Sequence, residues 1–155
     1  MLQRIQSIWL LLAALSLYAL FLFPLVHNVY VDGKPLTIMV NGVFQDADGQ
    51  LTHTQFFTAL TIMTAVIGII PLIIIFLYKN RKQQVALCYS TMLVVIGLSF
   101  WVEKTVEGVT NGAQLALANF GIGALLSSIS ILFLVLAVKG INRDEKLVKS
   151  ADRLR

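Results

Sequence analysis

Hydrophobic positions in this chain come in four long blocks, running roughly Ile5–Val26, Phe56–Tyr78, Val85–Val102 and Ala116–Val138, with polar residues gathered between them. No Asp, Glu, Lys, Arg or His lies inside any block. Each is close to the ~20 residues that a helix needs to cross ~30 Å of hydrocarbon. In lipid the backbone must satisfy its own hydrogen bonds, so blocks of this length predict helices rather than strands. The pattern therefore predicts a single all-α membrane domain over residues 1–155: a four-transmembrane-helix bundle. The connections are two outer loops, 27–55 and 103–115, a short link at 79–84, and a tail from 139 to 155.

Inside the first outer loop the periodicity changes. Val29–Val31 and Leu36–Val40 are β-prone and are separated by Asp32-Gly33-Lys34-Pro35; a third run at Val43–Phe44 is followed by Asp46-Ala47-Asp48-Gly49. Asp-Gly flanked by β-branched residues is a strong hairpin signal. A small antiparallel sheet of two or three strands is expected there, resting on the helix ends because such a sheet is marginal alone. Asp46-Ala47-Asp48-Gly49 has the opening of a calcium loop, but Leu51 and Phe57 stand where its glycine and closing acid belong. It reads as a turn.

Within the blocks, small and hydroxyl residues mark close helix contacts. Gly68 on the second block and Gly123, Ala124 and Ser127 on the fourth have the small-residue character that lets backbones approach. Pro71 removes a backbone donor and predicts a kink. Tyr18, midway along the first block, needs a partner for its hydroxyl on another helix. Glu103–Val109 is expected to prolong the third helix until Asn111-Gly112 stops it.

Charge orients the bundle. Ten of the twelve Lys and Arg residues lie at Arg4, in Lys79–Lys82 and from Lys139 onward; only Lys34 and Lys104 lie in the other two connections, with five of the eight acids. By the positive-inside rule both termini and the 79–84 link are expected in the cytoplasm. Membrane lipids and other membrane subunits are the expected partners, and the net charge of +4 is too dispersed to point to nucleic acid. Lys79, Arg81 and Lys82 in the link, and Arg143, Lys146, Lys149, Arg153 and Arg155 in the tail, form a basic rim suited to anionic lipid or to a partner. Leu147, Ala151 and Leu154 align on one stripe of that tail, and Asn142 with Glu145 has capping-box spacing, so a separate short amphipathic surface helix is expected. The first block is longer than a signal-peptide core of ~7–15 residues and is expected to be retained.

Little catalytic chemistry is available. One cysteine, Cys88, excludes an intramolecular disulfide. His27 and His53 bound the outer loop with aspartates between, a weak zinc pattern with too few strong ligands. Ser127, Ser128 and Ser130 have no base within any block. No cofactor, metal site or enzyme activity is expected. The opening Met1-Leu2-Gln3-Arg4-Ile5-Gln6, the link Tyr78-Lys79-Asn80-Arg81-Lys82-Gln83-Gln84 and the charged ending Asp144–Arg155 together resemble a family of small bacterial inner-membrane proteins, domain-of-unknown-function family 4293. The resemblance implies four spans and carries no activity. The leading expectation is a non-catalytic accessory or scaffold subunit of a membrane complex; the alternative is a small transporter or channel component whose path forms on oligomerisation.

Overall fold

The computed structural model describes residues 2–31, 34–47, 50–78, 80–110, 112 and 115–152. Among these residues are four α-helices, α1 (Leu2–Ala19), α2 (Thr58–Phe76), α3 (Arg81–Val109) and α4 (Ile122–Asp152), and a short 3-10 turn at Leu117–Asn119. Between α1 and α2 lies a four-stranded antiparallel meander, β1 (Val26–Val31), β2 (Lys34–Met39), β3 (Gly42–Ala47) and β4 (Gln50–Phe56), in that spatial order. α1 packs on α2 and α4, and α3 packs on the same two, so the helices form a ring of antiparallel neighbours. α2, α3 and the Ile122–Leu147 part of α4 are long and apolar enough to cross a membrane, while the apolar part of α1, Ile5–Ala19, is shorter. The outward faces carry a belt of exposed apolar side chains, among them Leu11, Leu15, Val66, Ile73, Leu93, Leu125 and Leu132. A soluble monomer does not expose so much apolar surface.

α1 is shorter than its apolar block. Leu20 and Phe21 amides bond back to Leu17 and Tyr18 carbonyls in tight three-residue turns, and Pro24 takes the chain out of the helix into β1. Leu20, Leu25 and Val26 are apolar because they are buried under the sheet, which hydropathy cannot tell from burial in lipid. The sheet has one strand more than expected. β4, Gln50–Phe56, is polar on both faces and lies at the sheet edge, so it carries no alternation signal. Val31 pairs with Lys34 and Ala47 with Gln50, as two-residue hairpins require; the Asp32-Gly33 and Asp48-Gly49 turns lie outside the described residues.

Two apolar cores stack along the bundle. At the sheet end Leu17, Leu25, Val26, Ile38 and Val40 pack with Leu60, Ile67, Val95, Leu98, Val106 and Leu126. At the other end Leu10, Ala13, Ile74, Cys88, Met92, Leu134, Ala137 and Ile141 pack together. At 1.5 Å per residue α3 is about 15 Å longer than α2, and its surplus flanks the sheet. It ends as expected, with Gly112 at φ 71° donating to the Glu107 carbonyl. α2 continues through the buried Pro71. The expected separate tail helix is not present: α4 runs unbroken to Asp152, with Asn142 and Glu145 inside it. Gly140 serves the packing, since a Cβ there would come within 3.1 Å of Gln6 Cγ.

Candidate functional site

The sheet is fastened to the helices chiefly through backbone. The Gly121 and Gly123 amides donate to the Leu25 and Pro24 carbonyls at 2.9 and 3.0 Å, and Phe120 forms a bridge with Val26. Asn119 Nδ2 donates to the carbonyls of His27 and Asn28 at 3.3 and 3.0 Å, holding the bulge where Asn28 takes φ 54°. A Cβ on Gly123 would stand 2.6 Å from the Pro24 carbonyl oxygen. Only glycine fits.

A cavity of about 570 Å³ opens between β1, the outer turns of α3 and the start of α4. Leu25, Val26, Val102, Val106, Leu115 and Phe120 give it apolar walls, with Ser99, Thr110 and Ser127 as polar spots and Glu103, Lys104 and Glu107 at its edge. Its size falls in the ~300–1,000 Å³ range of small-molecule sites. Lys104 Nζ donates to Glu107 Oε2 at 2.6 Å, and both side chains are largely exposed. That hydrogen bond and the Glu107 charge, aided by Glu103, hold the Lys104 ammonium above its ordinary pKa.

Many hydroxyls of the helices are already bonded to backbone. Thr61, Thr64, Ser90, Thr91, Ser99 and Thr110 each donate to a carbonyl one turn back on their own chain, as such residues do in apolar helices. Ser130 donates across to the Ala13 carbonyl, tying α4 to α1. Tyr18 donates to the Ala65 carbonyl at 3.3 Å and lies flat against Gly68, whose missing side chain makes the room. The partner expected for Tyr18 on another helix is thus found.

The far end is closed by amides. Buried Gln84 donates from Nε2 to the Ile74 carbonyl at 2.9 Å, capping the end of α2, while Asn80 Oδ1 accepts from the Gln83 amide at the start of α3. Gln6 Nε2 donates to Asp144 Oδ2, and both residues are more than nine-tenths buried between α1 and α4. Beside this pair a smaller hollow of about 220 Å³ is lined by Ile5, Trp9, Leu136, Lys139, Gly140 and Arg143. Trp9 lies against Phe133.

The residues singled out from the sequence divide accordingly. Arg81 is half-buried; Lys82, Arg143, Lys146 and Leu147 are exposed at the end opposite the sheet. Lys79, Arg153, Leu154 and Arg155, and the side chains of Lys149 and Ala151, lie outside the described part. Gly68, Pro71, Gly123 and Ser127 are buried, but Gly123 meets the Phe23-Pro24 backbone rather than a helix, and Ala124 is exposed on the cavity wall. His53 is held between Phe44 and Phe56 rings, at centroid distances of 4.3 and 3.9 Å. Its Nδ1 and that of His27 are buried without a hydrogen bond, and among the described residues no three potential ligands stand together. Sequence reasoning missed the Gln6–Asp144 bond and the cavity; each joins residues far apart in the chain, and only Gly140 hinted at the first.

No curated protein matches the chain. A family model does, over residues 2–154, and its helices, meander and charged ending are accounted for from end to end: the chain belongs to the family described as a domain of unknown function, DUF4293.

Proposed function

We propose that this is a four-span protein of the bacterial inner membrane, with both ends and the 79–84 link in the cytoplasm and the sheet outside, acting as a non-catalytic accessory or scaffold subunit of a larger membrane complex. The observation that carries this reading is the apolar and mostly self-satisfied interior. Five of the six buried hydroxyl residues among the described residues donate to nearby backbone carbonyls, and the space between helices is filled by Leu, Ile, Ala and Met. A path needs a continuous polar stripe, and a scaffold needs apolar packing. α1 is short for a span, but about 27 Å of helix, together with the apolar turn that follows it, suits a ring of tilted neighbours in a locally thinned bilayer. The positive-inside asymmetry supports the orientation.

The exposed basic end offers the docking face. Expressed at native level and purified in mild detergent, the protein is expected to bring down a defined set of membrane subunits. Leu147→Asp combined with Arg143→Glu should release them while insertion persists, because the apolar blocks are untouched. An unchanged set of partners, or ion flux through liposomes holding the purified protein alone, would contradict the scaffold reading.

A further inference from the structure

The cavity between β1, α3 and α4 carries on its wall a hydroxyl with no partner among the described residues. Six hydroxyl residues are buried among the described residues: Ser16, Thr64, Thr91, Thr110, Ser127 and Ser130. Five of them donate to a carbonyl. Ser127, with 8% of its surface accessible, lines the cavity and makes no hydrogen bond. Its natural acceptor one turn back is the Gly123 carbonyl, which it leaves unused. Its hydroxyl is thus free to donate into the cavity, which suits a ligand that supplies an oxygen.

The rim narrows the chemistry. Glu103, Lys104 and Glu107 follow one another along the exposed side of α3 at the cavity edge, giving the order acid, base, acid and one net negative charge. Glu103 stands about 6 Å, four residues of rise, nearer the sheet end than Ser99 on the cavity wall. Apolar wall, hydroxyl donor and then an acid–base–acid edge match an acyl chain, an ester carbonyl and a zwitterionic head whose phosphate meets Lys104 and whose ammonium meets Glu103. An anionic lipid would present only phosphate to an edge with excess carboxylate. The geometry points to a binding site for one aminophospholipid molecule, held by Ser127 at its ester and by Glu103 at its amine. This rests on the membrane reading above; under the proposed orientation the site lies in the outer leaflet.

Trp101 adjoins the cavity residue Val102 and gives the readout. In a Trp9→Phe background it is the sole tryptophan. The full chain is reconstituted in phosphatidylcholine nanodiscs doped with phosphatidylethanolamine, phosphatidylglycerol or phosphatidylcholine brominated on the acyl chains. Brominated phosphatidylethanolamine is expected to quench Trp101 at several-fold lower mole fraction than the other two. Ser127→Ala should raise the mole fraction needed roughly fivefold for all three lipids, since each carries the ester that the hydroxyl bonds. Glu103→Gln, on an exposed side chain that does not bear on folding, should bring phosphatidylethanolamine toward parity with the other two. Equal quenching by the three lipids would overturn the proposal, as would a preference that survives Glu103→Gln or quenching that is unchanged by Ser127→Ala. Impermeant-thiol labelling of Thr54→Cys and Gln83→Cys variants in vesicles separates this from the topology: reversed labelling with the lipid preference intact would remove the leaflet and leave the site.

Discussion

The two ends of the bundle solve the same problem differently. At the basic end, buried polar groups are closed by long amide side chains: Gln84 caps the Ile74 carbonyl and Gln6 meets Asp144. At the sheet end, closure is by backbone, with Gly121 and Gly123 amides on the carbonyls of Leu25 and Pro24. Amide side chains can reach across, and only a hollow of about 220 Å³ remains beside the second pair. Backbone contact demands glycine, and next to it lies the larger cavity of about 570 Å³ with Ser127 unpartnered on its wall. The difference teaches where a ligand can enter this fold: where closure leaves a vacancy and a free hydroxyl, rather than where charge is densest.

Substitutions can break this contrast at either end. The largest effect is expected from Gly123→Leu. A side chain there must displace the Pro24 carbonyl, 2.6 Å from where its Cβ would be, and unseat the sheet; overpacking of this kind costs about 3 kcal/mol. Leu132→Ala on the exposed belt is the control, expected to shift the melting temperature in detergent far less.

At the basic end Gln6→Leu should cost roughly 1–3 kcal/mol, because it strands a buried carboxyl at Asp144. Adding Asp144→Leu should recover much of that loss, since an apolar pair leaves nothing unsatisfied. A double variant less stable than the single one would show that the Gln6–Asp144 bond is not what closes this end. The smallest effect is expected from Tyr18→Phe, which forfeits one long hydrogen bond to Ala65 and keeps the ring on Gly68. About 0.6 kcal/mol is typical for such bonds between membrane helices, readable as a small shift in thermal unfolding.

The helices were legible in the sequence because hydropathy blocks and helices coincide over most of their length. The ends were less so. Leu20, Leu25 and Val26 look like more membrane span because burial under a sheet and burial in lipid select the same side chains. β4 stayed hidden because an edge strand wet on both faces has no reason to alternate. Asn142 and Glu145 have the spacing of a helix start, but packing of Ile141 and Asp144 against α1 carries α4 through them. The cavity was the least legible feature. Glu103, Ser127 and Leu25 come from three distant parts of the chain, and Gly123 carried a helix-packing signal when its neighbour is the backbone of a turn.

The central claim, that the sheet and the 79–84 link lie on opposite sides of a membrane, is most directly tested by thiol accessibility. Thr54 in β4 and Gln83 at the start of α3 are both exposed, and Cys88 is buried and replaceable by alanine. In intact cells made permeable only in the outer membrane, an impermeant maleimide should label Thr54→Cys at once. It should reach Gln83→Cys only after the inner membrane is opened. Equal labelling of both positions before that step, or the reverse order, would contradict the account.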